Sequence, residues 1–470
     1  MSARYLTTTL PYVNDAPHMG HALEFVQADA LARAWRLAGE EVFFSTGTDE
    51  HGQKIFEAAQ KAGQEPQKYI DHYAHEFQKL KTTLNLSNDV FIRTSDPAHM
   101  LAAQEMWRRC LAKGDIYKKA YTGLYCVGCE SFKTEKEVVE KKCPLHPNAE
   151  LKEVSEENYF FKFSNYEKKL LEYLDRPGVI VPEWRRIEAV NFVNGGLEDF
   201  SISREKSRLS WGIPVPDDDS QVMYVWFDAL TNYISTLGWP ADDKGDFEKF
   251  WNKGATLQVA GKDQLRFQSL MWQAMLMSAD IKNTDQIFYH GFITSGGQKM
   301  SKSLGNVISP LELVEKYGTD AVRYILLRHV SPTEDADLTL DAIHEHYTAH
   351  LTNGLGNLVA RIMQLAESNL DSYSGINPRT DLIALERFDF HKALDGIWAR
   401  IQKLDQTITE TKPFAVIKED SDKGKRMIDE LRTELLFIAH TLAPYMPATS
   451  RKIHDAIVSN KKPENLFPRL

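Results

Sequence analysis

Only four cysteines occur among 470 residues, too few to staple a chain of this length, so a disulfide-built secreted scaffold is excluded. Long apolar runs are also missing, because Arg, Lys, Glu or Asp interrupts every extended apolar segment, and no membrane association is expected. The first residues, Met1-Ser2-Ala3-Arg4, lead directly into strand-like Tyr5-Leu6-Thr7 without a signal segment, and the expected location is cytoplasmic. There is no basic excess: 56 Lys plus Arg face 66 Asp plus Glu, for a net charge of -10. Diffuse adhesion to nucleic acid or anionic lipid is thereby excluded, and any nucleic-acid contact must use a local basic face. Repeats and low-complexity segments are absent, which rules out solenoids and disordered linkers. What is present is 43% hydrophobic residues, enough for sizeable cores, and at ~150 residues per domain the length suggests about three folding units.

The opening reads as a βαβ unit: a strand near residues 4–9, an amphipathic helix from Gly20 to Ala38, and a strand around Val42-Phe43-Phe44, an order that requires a parallel sheet. Helical patterns follow over 53–84 and 97–113, with a strand at Val90-Phe91-Ile92 between them. The composition then turns to Lys, Glu, Cys and Tyr, marking a small insertion at 115–163. The α/β pattern resumes with strands at Gln221–Trp226, at Leu257–Ala260 followed by a helix to Ala279, and at Ile287-Phe288-Tyr289. Beyond Leu340 apolar residues recur at helical spacing, as in Leu351, Leu355, Leu358 and Ile362. The expected architecture is a Rossmann-like doubly wound parallel sheet in two halves, 1–114 and 164–340, with a zinc-binding connective insertion at 115–163 and an all-α bundle at 341–470.

Three of the cysteines fall in one pattern, Cys126-x2-Cys129-x13-Cys143-x2-His146. Paired ligands two residues apart suit tetrahedral Zn(II), and three thiolates with one imidazole close its coordination sphere and leave no position for catalytic water. A structural zinc is expected there. Cys110 lies outside the pattern and reads as an ordinary buried helix residue.

Two further motifs concern phosphate. His18-Met19-Gly20-His21 lies where the first strand gives way to its helix, so unpaired N–H groups and the positive end of the helix dipole accompany two imidazoles, and Gly20 permits close approach of a flat ring. By itself this is a weak signal, equally compatible with capping histidines. Its partner is Lys299-Met300-Ser301-Lys302-Ser303 within a Gly- and Ser-rich loop, where two lysines can neutralise charge developing on a departing pyrophosphate. Alone that segment also reads as a solvated basic loop. Both together, in this order on a split nucleotide-binding fold, leave chance a poor explanation.

With these motifs the chain resembles the class I aminoacyl-tRNA synthetases, and among them the methionyl-tRNA synthetases. Further stretches that carry the resemblance are Leu10-Pro11-Tyr12-Val13-Asn14, Gly47-Thr48-Asp49-Glu50-His51-Gly52, Tyr125-Cys126-Val127-Gly128-Cys129-Glu130, Ser201-Ile202-Ser203-Arg204, Trp211-Gly212-Ile213-Pro214-Val215-Pro216, Tyr224-Val225-Trp226-Phe227-Asp228-Ala229 and Gly261-Lys262-Asp263. The resemblance implies that L-methionine and ATP form methionyl-adenylate and pyrophosphate, and that the methionyl group then passes to the terminal adenosine of tRNA(Met). It assigns ATP to His18, Gly20, His21, Gly261, Asp263 and Lys302, with catalysis by His18, His21, Lys299, Lys302 and Arg204, and Mg(II) accompanying ATP. Asp49 would hold the substrate ammonium, although an N-cap on the following helix is its bland alternative, and a cap is an equal alternative for Asp263.

By the same resemblance the methionine side chain meets Leu10, Tyr12, Trp226, Ala229 and Tyr233, a polarizable apolar lining suited to a thioether. Core packing is the competing role for Trp226 and Tyr233. Gln264 and Gln268 stand where the commoner enzymes carry an aliphatic residue and a histidine, Leu230 stands for proline in some members, and Gln273 replaces a frequent proline. Because an apolar pocket discriminates by only ~1–3 kcal/mol per methylene, such changes bear on selectivity. Asn353 and Phe414 match the anticodon-reading region, Phe414 replacing a usual tryptophan, with helix packing the alternative role for Phe414. The insertion at 115–163 is too short to be an editing domain, and the lack of a dimerising C-terminal extension points to a monomer. A cysteine-activating enzyme and a noncatalytic tRNA-binding relic are the rival readings. The first would need zinc open to substrate, and the second is opposed by two intact signature loops.

Overall fold

The computed structural model describes residues 3–126, 131–133, 138, 142–144, 151–299, 308–373, 385 and 387–470. The chain divides into two compact units, one of Met1–Pro17, Glu40–Lys79 and Asn88–Tyr289, the other of His18–Gly39, Leu80–Ser87 and His290–Leu470.

The first unit is built on a six-stranded sheet. Its strands, in chain order, are β1 (Ala3–Thr7), β2 (Glu41–Thr48), β3 (Val90–Arg93), β4 (Ile180–Val181), β5 (Ala255–Gly261) and β6 (Gln286–His290). They lie side by side as β3-β2-β1-β5-β6-β4. β1 pairs in parallel with β2 and with β5, β2 with β3, and β6 with β4. A parallel-sheet α/β core is therefore present. Strands buried on both faces need near-continuous apolar sequence, which Leu257, Val259 and Ala260 supply in β5 and Ile287, Phe288 and Tyr289 in β6. Gly47 in β2 is a packing requirement, since a Cβ there would lie 1.9 Å from the Ile92 carbonyl oxygen of β3.

The helical patterns over 53–84 are two helices, Gln53–Lys61 and Pro66–Thr83, parted where Pro66 steers the residue before it out of helical geometry. One expectation needs correction. The strand expected at Gln221–Trp226 as part of the parallel sheet is instead Asp218–Met223. It joins a separate three-stranded antiparallel sheet with Ser203–Glu205 and Pro214–Val215. Trp226 sits in the short helix Val225–Ala229. Between Asp115 and Phe163 the described residues form a long antiparallel ladder, Ile116–Cys126 on Lys152–Phe161, registered from Ile116 opposite Phe161 to Tyr125 opposite Lys152.

The second unit is largely helical beyond Leu340. Leu394, Ile397, Trp398, Ile401, Leu404 and Ile408 form one apolar stripe on the helix Phe390–Thr411, the i, i+3, i+4 spacing that buries one helix face. That helix packs on Thr319–Arg328 and Ser421–Leu442, and the latter packs on Asn357–Asn369 and Pro447–Ser459. Within the same unit Arg323 and Asp29 form a fully buried ion pair at 2.7 Å, and Arg323 also donates to the carbonyls of Leu84, Pro444 and Tyr445. No helix among the described residues is long and apolar enough to cross a membrane.

Candidate active site

In the second unit the chain turns from extended at His18 (φ -128, ψ 175) into the helix Met19–Leu37. His18 is its N-cap: Nδ1 accepts from Gly20 N–H at 3.1 Å, while His21 Nδ1 accepts from His18 N–H at 3.2 Å. The two rings stack with centroids 3.8 Å apart. Gly20 leaves room for this, since a Cβ on it would lie 2.9 Å from His18 Cε1. With Nδ1 accepting in each ring, the proton of the neutral tautomer sits on Nε2, which makes Nε2–H the donor each ring turns outward from its backbone bond. Burial, then repulsion from His18 and His290, holds the His21 pKa well below 6.5, so that ring is neutral at pH 7. The pair is thus both cap and donor. Lys299 ends a two-residue strand, and Lys302 lies outside the described residues.

In the first unit Asp49 is the last position before the loop that leaves β2. Its N–H donates to the Pro11 carbonyl at 2.9 Å and its carbonyl accepts from Val13 N–H at 3.2 Å. The resulting parallel bridge sets Tyr12 beside Asp49, which is 4% exposed. Asp49 is not the cap of the next helix, a place taken by Gly52. The neighbouring charges of the same run are tied elsewhere. Glu50 accepts from Thr48 Oγ1 and Arg93 Nε, both at 2.7 Å. His51 Nδ1 meets Asp228 Oδ2 at 2.7 Å, and the other carboxylate oxygen of Asp228 meets His99 Nε2 at 2.8 Å. Burial pushes the Asp228 pKa up, but His51 and His99 outweigh it and hold the carboxyl below its ordinary value. The anion pins the helix Val225–Ala229, and with it Trp226 and Ala229, to two distant segments.

Trp226 stacks on Phe267 at 3.7 Å with the rings 11° apart. Tyr233 is buried, and its hydroxyl accepts from Gln268 Nε2 at 2.8 Å. Gln273 donates to the Gln268 carbonyl at 3.0 Å and to Thr284 Oγ1 at 3.1 Å, so the glutamine that stands for proline knits the same helical segment. Leu10 is half-buried, Ala229 and Gly261 are buried, Gln264 is half-buried and Asp263 exposed, with Gln264 donating to Asp263 at 3.4 Å. The structure therefore brings together Tyr12 with Asp49, and Tyr233 with Gln268.

Arg204 lies on the strand Ser203–Glu205. It is 3% exposed, lies over the rings of Tyr224 and Tyr125 at 4.6 and 5.3 Å, and donates to Ser201 Oγ and the Ser203 carbonyl. Of the metal set, Cys126 and Cys143 are buried, and Cys129 and His146 lie outside the described residues. Asn353 and Phe414 are exposed on helices of the second unit, Phe414 at 47%.

Sequence reasoning passes over His99, Phe267 and the role of Asp228. A signal for Asp228 exists: a carboxylate inside the apolar run Tyr224–Ala229 has to be paired if it is buried. Nothing local marks His99 as its partner.

The family model for class I tRNA synthetases (M) matches residues 4–153 and 148–363. The chain is 39% identical over 476 residues to a methionine–tRNA ligase of Caldanaerobacter subterraneus, a match covering 96% of this chain and 73% of that protein. It is 40% identical over 474 residues to the methionine–tRNA ligase of Rhizobium meliloti, covering 96% and 91%. Among solved structures, Mycobacterium tuberculosis methionyl-tRNA synthetase in complex with methionyl-adenylate superposes with a TM-score of 0.90 at 35% identity, over 100% of this chain and 99% of that one.

Proposed function

Because this chain belongs to the class I tRNA synthetases (M), we propose that it activates L-methionine with ATP and transfers the methionyl group to tRNA(Met). The observation that carries this reading is the end-to-end similarity to a synthetase solved with methionyl-adenylate. ATP–pyrophosphate exchange with a panel of amino acids tests it: methionine alone should support rapid exchange, and exchange driven by another amino acid, or none at all, would refute it.

In the proposed mechanism the methionine carboxylate attacks the α-phosphorus in line as pyrophosphate leaves, so positioning and electrostatic stabilisation supply the catalysis. We assign Asp49 to the substrate ammonium and Leu10, Tyr12, Trp226, Ala229 and Tyr233, with Gln264 and Gln268, to the side chain. His18 and His21 donate to phosphate oxygens from Nε2, Gly20 admits the nucleotide, and Gly261 and Asp263 take the adenosine. Lys299 and Lys302 neutralise the departing pyrophosphate, and Mg(II) enters bound to ATP. Arg204 is assigned a further phosphate contact.

Residues 115–163 are assigned to a connective insertion holding one structural Zn(II) through Cys126, Cys129, Cys143 and His146. Burial of Cys126 and Cys143 fits thiolate ligands shielded from water. Zinc would supply only cross-linking of the insertion. Residues 341–470 are assigned to anticodon binding, where the exposed ring of Phe414 offers a stacking surface and Asn353 a hydrogen-bonding edge. We place the protein in the cytoplasm, where thiolate ligands stay reduced, as a monomer.

A further inference from the structure

None of these roles uses three histidines gathered in the second unit. His329 caps the C-terminal end of the helix Thr319–Arg328. His346 closes the helix Leu340–His346, and His350 lies one turn on, in the π-widened turns of Tyr347–Gly356. One ring nitrogen of each lies within 4.8 Å of those of the other two. The His329 and His346 rings are stacked, 3.6 Å between centroids and 5° between planes, and His350 stands 5.2 and 5.5 Å from them. The Tyr324 hydroxyl joins His350 Nδ1 at 2.9 Å and His329 Nε2 at 3.1 Å. It also accepts from Arg328 Nη1 at 2.6 Å, and the Arg328 charge is balanced by Asp395 at 2.8 Å. All three histidines are partly exposed, so an ion can reach them from solvent.

The donor chemistry is selective. Three imidazoles without a carboxylate suit borderline transition metals, whereas Mg(II) and Ca(II) require oxygen ligands. Three protein ligands leave one coordination position for water, unlike the closed cysteine-rich set. We propose that His329, His346 and His350 bind one Zn(II) ion, in a site distinct from the cysteine set, that staples the helix Thr319–Arg328 to the segment Leu340–Gly356. Zn–N bonds are about 2.0–2.1 Å and each ring must aim a lone pair in its own plane. Two parallel stacked rings do not meet that requirement, so loading rotates one of them and unstacks His329 from His346. Tyr324 then serves as the outer partner, its oxygen accepting the N–H opposite the metal and fixing the ring's tautomer.

The test uses full-length protein with the cysteine set intact, titrated with Zn(II) against a chromophoric chelator. Wild type should take up one more Zn(II) per chain than His346→Gln, and its melting temperature should rise over that last equivalent while the variant's does not. Equal stoichiometry and equal thermal response would overturn the site. A second measurement needs no variant: in long-range 1H–15N spectra of the unaltered protein, the last equivalent should shift three histidine rings, and no shifted ring would overturn the proposal independently of whether His346→Gln folds.

Discussion

Gln268 Nε2 donates to the Tyr233 hydroxyl at 2.8 Å, with the two side chains 1% and 3% exposed. A buried hydroxyl that loses such a partner costs about 1–3 kcal/mol. If this pair orients the wall met by the substrate side chain, Gln268→Ala should raise the KM for methionine roughly tenfold in pyrophosphate exchange, the size of a 1.4 kcal/mol change. The KM for ATP should stay where it is, and an equal rise in both would remove the pair from the methionine pocket.

Asp49 is bridged to the Tyr12 segment through backbone atoms. Asp49→Asn therefore removes charge without removing that bridge. Hydrogen bonds to a charged group contribute about 1.5–3 kcal/mol, so kcat/KM for methionine should fall by one to two orders of magnitude with little change in melting temperature. An unaltered kcat/KM would exclude Asp49 as the ammonium partner.

Lys302→Ala should slow single-turnover adenylate formation by roughly 100- to 1,000-fold, the loss typical of one electrostatic stabiliser of a transition state. Methionine affinity, measured by equilibrium binding, should hardly move. A pyrophosphate-exchange rate equal to wild type would strip the loop of its assigned role.

The Asp29–Arg323 pair predicts an acid limb of stability. Burial alone would raise the Asp29 pKa, but Arg323 and Arg33 hold it below the ordinary 3.8. A folded-state pKa below the unfolded one means that the stabilisation is fully present above the unfolded value and is lost as pH falls through the folded value. Asp29→Asn leaves Arg323 buried without its counter-charge, at a cost of about 3–5 kcal/mol at pH 7. Urea midpoints plotted against pH should drop for the variant at neutral pH and flatten below pH ~4. Curves that run parallel would show that the pair is not the acid-sensitive element.

The strands flanking His18 and the carboxylate that follows β2 are legible in sequence because each depends on a few consecutive residues: alternation or continuity of apolar side chains, Pro11 and Pro17 in the loop, glycines at the strand end. Trp226 shows where such reading stops. Its run is as apolar and aromatic as a strand, and local propensity favours one. The chain nevertheless leaves extended geometry at Tyr224 and forms a helix, which brings Asp228 between His51 and His99. Those partners lie 177 and 129 residues away in sequence, beyond any local window.

The opening strand–helix–strand unit, the apolar runs of the later parallel strands and the helical spacing beyond Leu340 are properties of residue type and short spacing, and the sequence alone determined them. Tertiary structure alone decided which buried charges and polar groups meet, Asp228 with two histidines, Asp29 with Arg323 and Gln268 with Tyr233, and which half-buried histidines gather, His329 with a helical His346 and His350. The reason is energetic. Desolvating a charge or an amide is costly unless a partner arrives with it, and the partner's position is set by how whole elements pack, through contacts that no single segment contains.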